Sequence, residues 1–270
     1  MHALALMQDE LTQFDVLIRE SGATKLKKTN RYEYSRYKLD ALSIILYSSG
    51  KVVFSEYPKE LERQITSFFM NNDKCEYPTI GSDEAGKGEA IGPVIVSAVL
   101  LRDKRERALA RMYGAMDSKQ MSSVQINAVY NRVKHFTHST RMLSPSDFNR
   151  VFSNNLNELL CSLHLSSLQE VLKKVSGKCI VYVDKFGGKG HDEYIRKEIL
   201  GINPEADVSV LTMAEKYPSV ACASIISKHE YERWLDSYAD ELGIDDIRKI
   251  DISKLGTNIL GKIAKVKYLK

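Results

Sequence analysis

The chain has 270 residues, enough for one large domain or two unequal ones, and its 43% hydrophobic and 27% charged residues are typical of an ordinary globular protein. The net charge of +4 favours polyanionic partners only weakly. No stretch approaches the roughly 18 apolar residues of a membrane span, residues 1–8 do not resemble a signal peptide, and four cysteines without a CxxC pair indicate free thiols in a reducing compartment.

The first 70 residues predict a small unit that mixes helices and strands. Apolar residues at helical spacing, and then alternating residues separated by a glycine turn, are typical of a helix followed by short strands. The predicted elements are a helix over residues 1–21, strands over 32–36, 42–47 and 52–54, and a helix over 60–69. The polar, unpatterned residues 71–78 are predicted to be a linker.

A basic segment with interspersed tyrosines lies in this unit. The side chains of interest in it are Lys28, Arg31, Tyr32 and Arg36. Lysine and arginine could contact phosphates, and tyrosine rings could contact sugars or bases. The alternative is a solvated basic loop with structural tyrosines.

Two adjacent carboxylates, Asp83 and Glu84, open the next part of the chain. A Gly86-Lys87-Gly88 turn and an apolar run over residues 94–101 follow. Neighbouring acids at the entry to a core element are costly unless a cation neutralises them, and a divalent metal with oxygen ligands does so most simply. We therefore interpret this stretch as the site of a metal-dependent nuclease, in preference to an exposed acidic turn.

The same glycines suggest nucleotide-binding motifs that do not fit. Residues 81–88 nearly match a phosphate-binding loop, but Gly88 stands where a Ser or Thr would hold magnesium, and the two acids would repel phosphates. Gly86, Gly88 and Gly92 are spaced GxGxxxG, which is one residue longer than the GxGxxG fingerprint of dinucleotide-binding proteins. An ATPase is kept as an alternative that tight ATP binding would reveal.

Helices and strands alternate through the rest of the chain. The predicted helices cover residues 102–111, 122–136, 147–175 (as one helix or a pair), 192–200, a long segment ending at 242, and 254–264; the predicted strands cover 137–143, 179–183 and 208–213. The charged helix 102–111 is expected to be a solvated face. Asp184 ends a buried strand, where sites form at the edge of α/β sheets, although it could also cap the next helix.

Several sequence blocks, taken in order, resemble the type 2 ribonucleases H, that is ribonucleases HII and HIII. They are DEAGKG at 83–88, DSKQMS at 117–122, the acid after CIVYV at 184, and AEKYPSVACASIISK at 214–228. The resemblance covers about residues 79–238. It implies an α/β fold with a ribonuclease H-like mixed sheet flanked by helices, over residues 79–270. The phrase YSSGKVVF at 47–54 is similar to the TATA-box-binding-protein-like domain of ribonuclease HIII, which implies a small α+β substrate-binding domain over residues 1–70.

The resemblance implies an endoribonuclease that hydrolyses the RNA strand of RNA–DNA hybrids by a two-metal mechanism. The products would be 5′-phosphate and 3′-hydroxyl ends. Two Mg²⁺ or Mn²⁺ ions would be held by Asp83, Glu84, Asp184 and Glu215. Substrate would be bound by Gly86, Lys87, Gly88, Ser118 and Lys119, with Lys28, Arg31, Tyr32 and Arg36 of the first unit. A monomeric, cytoplasmic protein of DNA replication and repair, without a membrane partner, is expected.

Two points stay open at this level. The ribonuclease HII pattern puts Ala214 at the fourth acid position, whereas the HIII pattern reaches Glu215 with a one-residue deletion. The Gly-Lys-Gly turn is HII-like, which would favour cleavage at single embedded ribonucleotides, while the N-terminal unit is HIII-like. A non-catalytic hybrid-binding protein is the further alternative. We assign no chemistry to His164, because a lone histidine on a helix is usually structural.

Overall fold

The computed structural model describes residues 1–116, 118–152, 155–251 and 255–268, which belong to two compact units. The first unit comprises residues 1–76 and 102–116, and the second comprises residues 77–101 and 117–270. Each unit contains a five-stranded sheet and helices, so the predicted α/β class with a small α+β N-terminal unit is confirmed. In the described ranges, no helix has both the length and the apolar character needed to cross a membrane.

The sheet of the first unit is antiparallel, with strand order β1-β5-β4-β3-β2. Its elements are β1 (His2–Ala5), α1 (Leu11–Glu20), β2 (Thr24–Leu26), β3 (Glu33–Leu39), β4 (Leu42–Tyr47), β5 (Lys51–Phe54), α2 (Glu62–Asn72) and α3 (Lys104–Met112). Alternate residues of β4 are buried, as expected for a strand with one face on a core. That core also holds Phe14 of α1, Phe69 of α2 and Met112 of α3.

Three expectations for this unit were wrong or incomplete. Residues 1–21 do not form one helix: His2–Ala5 is a strand, because its alternating side chains are buried when it pairs with β5. Strand β2 was not predicted. Helix α3, which the sequence analysis placed in the second part of the chain as a solvated face, belongs to the first unit instead, where Arg107 is buried and pairs with Asp73 at 2.6 Å.

The sheet of the second unit is mixed, with strand order β10-β9-β6-β7-β8. Its strands are β6 (Thr79–Ala85), β7 (Val94–Leu101), β8 (Thr137–Leu143), β9 (Cys179–Asp184) and β10 (Ala206–Leu211). Strands β6, β9 and β10 run parallel, whereas β7 and β8 are antiparallel to their neighbours. The predicted buried strand ending at Asp184 is therefore confirmed as an interior strand, and β6 and β7 form an antiparallel pair around the Gly-Lys-Gly turn.

Among the residues that the structure describes, six helices flank this sheet, in addition to short 3₁₀ turns. They are α4 (Ser123–Val133), α5 (Pro145–Val151), α6 (Leu156–Leu172), α7 (Lys189–Ile202), α8 (Pro218–Leu242) and α9 (Thr257–Ile263). The region predicted over 147–175 is a pair of helices. Ser122 caps α4 in a capping box with Gln125, as its position in the sequence suggested. Asp117 and Lys254, which fall within predicted motifs or helices, lie outside the described residues.

Helix α8 lies directly against the middle of the sheet. A Cβ atom on Gly81 of β6 would stand 2.1 Å from the backbone nitrogen of Val220 and 2.2 Å from the carbonyl carbon of Ser219. Only glycine fits there, and Ala221 and Ala223 are buried in the same helix. The close contact brings the first turns of α8 next to the two acids that follow Gly81 on β6.

Candidate active site

Four acids lie where three parallel strands end. Asp83 and Glu84 are the fifth and sixth residues of β6, and Asp184 is the last residue of β9. Ser82 is paired with Val183, so Asp83 and Asp184 lie at neighbouring levels of adjacent strands. Glu215 lies in a 3₁₀ turn, Ala214–Lys216, that follows β10 and precedes α8. The topology of the sheet therefore collects the four predicted acids at one edge, as the carboxyl ends of parallel strands do.

The electrostatics of Asp83 and Asp184 reveal a shortage of positive charge around them. Burial raises the pKa of Asp83 well above its usual range, and the charges of Glu84 and Asp184 raise it further. Burial also raises the pKa of Asp184, as do the charges of Glu215 and Glu84, although Asp184 Oδ1 accepts a 3.1 Å hydrogen bond from the Ala214 N–H. Like charges that raise each other's pKa are typical of functional sites.

Glu84 is the exception, because it has two cationic or hydrogen-bonding neighbours. Burial alone would raise the pKa of Glu84, but hydrogen bonds and charge from His164 and Lys87 lower it to about 2. Lys87 Nζ lies 2.6 Å from Oε1, and His164 Nε2 lies 3.3 Å from Oε2. His164 was given no chemistry in the sequence analysis. No local signal could have found it, because 80 positions separate it from Glu84.

The segment around Ser118 and Lys119 contacts one of the acids directly and a second one through Ser224. Lys119 Nζ lies 3.4 Å from Glu215 Oε1. The Ser118 hydroxyl lies 2.8 Å from that of Ser224, and the Ser224 side chain hydrogen-bonds to the Asp83 carboxyl. Ser224 belongs to the sequence block at 214–228 and links the Ser118 segment to Asp83. Both predicted residues of this segment thus lie at the acidic edge.

The Gly86-Lys87-Gly88 turn begins directly after β6. Gly86 has φ +82°, and a Cβ there would stand 2.1 Å from the carbonyl oxygen of Pro93 and 2.8 Å from the Tyr231 ring. Glycine is required at this position for both reasons. At Gly88 an added Cβ meets nothing within 4 Å, which leaves the backbone of the turn open to an approaching ligand. Lys87 is the residue of this turn that contacts the acids.

The four predicted residues of the first unit are placed differently. Lys28, Arg31 and Tyr32 are exposed, and the Arg31 guanidinium lies 4.9 Å from the centroid of the Tyr32 ring. Arg36 is bound to Glu33 of the same strand, with Nη2 at 2.7 Å from Oε1. That ion pair could not be predicted from the sequence, because alternation along an ordinary strand would put positions 33 and 36 on opposite faces. A shift of register between Glu33 and Ser35 brings them to one face.

The donor set at the acidic edge suits a hard divalent cation, since carboxylate oxygens are the ligands that Mg²⁺ and Mn²⁺ prefer. Within the described ranges, no three His, Cys, Asp or Glu side chains are already arranged to hold one ion. The observed side-chain positions explain this, because Glu84 and Glu215 are paired with Lys87 and Lys119. Asp83 and Asp184 have raised pKa values that a nearby cation would bring down, and in this respect the residues fit a metal site.

Comparisons with known proteins agree with this arrangement. The sequence profile of ribonuclease HII matches residues 80–249, more than half of the chain. A ribonuclease HIII of Streptococcus thermophilus is 26% identical over 245 residues, covering 86% of this chain and 81% of the relative. One from Streptococcus pyogenes serotype M49 is also 26% identical and covers 84% of this chain and 79% of the relative.

Solved structures show the same fold. The crystal structure of Bst-RNase HIII in complex with Mn²⁺ aligns with a TM-score of 0.61 at 19% identity, covering 98% of this chain and 95% of that one. RNase HII of Archaeoglobus fulgidus, in its complex with PCNA, aligns with a TM-score of 0.53 at 28% identity, covering 65% of this chain and 86% of that one. Together with the profile match, this establishes that the chain belongs to the ribonuclease HII family of type 2 ribonucleases H and is a hydrolase of the ribonuclease H type, and that it matches ribonucleases HIII over most of its length.

Proposed function

We propose that the protein hydrolyses the RNA strand of RNA–DNA hybrids with the help of Mg²⁺ or Mn²⁺, leaving 5′-phosphate and 3′-hydroxyl ends. The observation that carries the proposal is the set of four carboxylates at one sheet edge, two of which have pKa values raised by burial and by each other's charge. Membership of the ribonuclease HII family supports the reaction class. The Mn²⁺ in the Bst-RNase HIII structure is consistent with a divalent ion here.

In this proposal Asp83, Glu84, Asp184 and Glu215 hold two divalent ions. Bound there, the ions would lower the pKa of a water molecule and stabilise the departing 3′-oxygen. The protein itself supplies the fixed positions of the acids, through the Ala214 N–H that binds Asp184 and the Ser224 hydroxyl that binds Asp83. The geometry supports Glu215 as the fourth acid, because Ala214 contributes its backbone nitrogen.

Lys87 and Lys119 are proposed to contact phosphates of the substrate. Both are at least partly exposed and both are paired with acids of the site, at 2.6 Å and 3.4 Å respectively. A lysine can exchange a carboxylate partner for a phosphate, because it binds each as a flexible point charge. The open backbone at Gly88 is proposed to approach the ribose, where the 2′-hydroxyl distinguishes RNA from DNA.

The first unit is proposed to bind the hybrid through its sugar–phosphate backbone. Lys28, Arg31 and Tyr32 are exposed and combine positive charge with an aromatic face. Arg36 is a weaker candidate than the sequence suggested, because Glu33 already holds its guanidinium. A cytoplasmic, monomeric protein that acts in DNA replication and repair is part of the same proposal.

Cleavage at single embedded ribonucleotides is a second candidate function. The observation that favours it is the lysine in the Gly-Lys-Gly turn, which is typical of ribonuclease HII. Lys87 binds Glu84 directly, so the turn and the acids form one group of contacts.

The test uses two labelled duplexes, a full RNA–DNA hybrid and a DNA duplex with one ribonucleotide, each with Mg²⁺, with Mn²⁺ and with a chelator. We expect metal-dependent cleavage of the hybrid. Asp184→Asn should reduce the cleavage rate by about 10³-fold or more, because the site loses a metal ligand. Hybrid binding should survive, because no contact with the substrate is lost. Cleavage only at the single ribonucleotide would contradict the proposed hydrolysis of full hybrids and support the second candidate function. Absence of cleavage with either metal would contradict the proposed function and support the alternative of a non-catalytic hybrid-binding protein.

A further inference from the structure

His164 is a fully buried histidine at the back of the acidic edge. It lies on α6, and its side chain has no exposed surface. Ser82 Oγ lies 2.7 Å from Nδ1, and Glu84 Oε2 lies 3.3 Å from Nε2. The ring also stacks on Phe186, with centroids 4.5 Å apart and planes at 9°. His164 therefore joins β6, which carries two of the acids, to the loop that follows Asp184.

The hydrogen bonds fix the roles of the two ring nitrogens. Glu84 Oε1 is ion-paired with the Lys87 ammonium at 2.6 Å, and a carboxylate in such a pair can only accept, so Nε2 is the donor to Glu84 Oε2. In the neutral ring, Nδ1 then accepts from the Ser82 hydroxyl. Ser82 is itself completely buried. Both polar atoms of the ring are thus satisfied by residues of β6 that are two positions apart and share one face of the strand.

A purely space-filling role does not account for this ring. The buried residues beside His164 on α6 are apolar except for Ser167, whose hydroxyl donates to the Val96 carbonyl, so contacts within the helix do not call for an imidazole. A buried imidazole is costly unless it is fully hydrogen-bonded. Here both bonds lead toward the acidic edge.

The two oxygens of Glu84 have unequal partners. Oε2 is held by His164, which is buried, rigid and stacked. Oε1 is held by Lys87, a flexible side chain with 38% of its surface exposed. Of the two contacts, the one with Lys87 can be exchanged without disturbing the core. Oε1 is therefore the oxygen that the protein can release to a cation.

We propose that His164 is a positioning residue that pins Glu84 Oε2, presents Oε1 as the metal-binding oxygen, and braces the loop after Asp184 through Phe186. The inference rests on the proposed role of Glu84 as a metal ligand. It predicts that metal affinity depends on the Nε2–H donor itself, in addition to the volume of the ring. A hydrogen-bonded partner behind a ligand typically contributes about 10- to 100-fold to metal affinity.

The test compares two isosteric replacements. In His164→Gln the amide nitrogen can occupy the place of Nε2, and in His164→Asn the amide can meet Ser82 at the place of Nδ1 but cannot reach Glu84. Mn²⁺ binding to the full-length protein, without substrate, is measured from the electron paramagnetic resonance of free Mn²⁺. We expect His164→Asn to weaken binding about 10- to 100-fold and His164→Gln to stay within about threefold of the wild type.

Two further variants separate positioning from packing. Leu168→Ala, four residues along the same buried face of α6, should lower the melting temperature without changing Mn²⁺ affinity. Ser82→Ala leaves the imidazole in place but removes its Nδ1 partner, so it should weaken Mn²⁺ binding less than His164→Asn does. If His164→Asn fails to fold, the Mn²⁺ affinity of Ser82→Ala, compared with that of the wild type, tests the inference instead.

Equal loss of Mn²⁺ affinity in His164→Gln and His164→Asn, or wild-type affinity in His164→Asn and in Ser82→Ala, would overturn the inference. Cleavage assays on the same proteins keep it distinct from the proposed function. If the wild type cleaves neither duplex but its Mn²⁺ affinity follows the glutamine–asparagine difference, the proposed function fails and the positioning role stands.

Discussion

Buried Glu33 of the first unit and buried Asp83 and Asp184 of the second unit have opposite electrostatic surroundings. In the first unit the buried acid Glu33 is surrounded by its own donors, Arg36, Thr29 and Asn30, and the hydrogen bond from Arg36 is the main cause that lowers its pKa to about 2. In the second unit burial and neighbouring acids raise the pKa of Asp83 and of Asp184. An acid whose charge is balanced by a cation of its own unit stabilises the fold, whereas buried acids whose pKa is raised by neighbouring acids are typical of functional sites.

The same contrast appears in the ion pairs of helix α3. Arg107 pairs with Asp73 at 2.6 Å, and Arg111 pairs with Glu10 at 2.5 Å, all within the first unit. At the acidic edge the cationic partners are Lys87 and Lys119, whose side chains are 38% and 75% exposed. Arginine in a buried pair is a permanent partner, while an exposed lysine is an exchangeable one.

The largest effect is expected from Asp83→Asn, which tests the second unit. Cleavage should fall by about 10³-fold or more, while the free energy of unfolding of the metal-free protein should rise, because burial and the neighbouring acids disfavour a charge at this position. Chemical denaturation and the cleavage assay measure the two effects. Asp207→Asn, an exposed acid on β10, is the control and should change neither. A destabilised Asp83→Asn would break the comparison.

Asp73→Ala should have the opposite effect on stability in the first unit. It leaves the buried guanidinium of Arg107 without its carboxylate, which costs about 3 kcal/mol. Thermal unfolding would register this as a lower melting temperature, and Glu56→Ala, an exposed acid of the same unit, is the matched control. A melting temperature equal to that of the wild type would show that the pair is not a permanent partner.

The double variant Lys28→Ala/Arg31→Ala tests whether exposed cations of the first unit bind the hybrid. Each lost phosphate contact should reduce the slope of log affinity against log salt by about one, so the pair should reduce it by about two. The single-turnover cleavage rate at saturating enzyme should not change. Lys59→Ala/Arg63→Ala, exposed cations elsewhere in the unit, provide the control. Identical salt slopes in both double variants would contradict a binding role for the segment.

The smallest effect is the pH dependence of Glu33→Gln. A carboxyl group with a lowered folded pKa contributes stability above its unfolded pKa, near 4.5, and that stability is lost as the pH falls toward about 2. The variant should therefore be less stable than the wild type at pH 6, and the difference should shrink by pH 3. Denaturation midpoints at the two pH values measure this. If the difference in stability between the wild type and Glu33→Gln grew as the pH fell, folding would not lower the pKa of Glu33.

Much of the second unit followed from its sequence because its signals are local. Ser122 stands before an apolar-periodic segment and caps α4, and Ser144 does the same for α5. The apolar run before Asp184 is an interior strand, as its length and composition indicated. The adjacent Asp83 and Glu84 predicted a metal site, because two neighbouring carboxylates at the entry to a core element are unfavourable without a cation.

Other features depended on partners that are distant in the chain. Residues 2–5 read as part of a helix, but the pairing with β5 made them a strand, since edge pairing outweighs weak local preference. Helix α3 looked solvated because its arginines were charged, yet their partners Asp73 and Glu10 lie 34 and 101 positions away. The Arg36–Glu33 pair depends on a shift of strand register between Glu33 and Ser35, which the alternation of side chains along a regular strand does not predict.

The sequence by itself determined the family and the α/β class, and it predicted site acids at residues 83, 84 and 184, because each of these rests on a contiguous motif or on one strand and its end. Only the tertiary structure decided which partners those acids have. His164 meets Glu84, Ser224 meets Asp83, and Lys119 meets Glu215 because sheet order and the close approach of α8 at Gly81 bring distant segments together. Charge, burial and hydrogen bonding depend on distance in space, and that distance is set by packing.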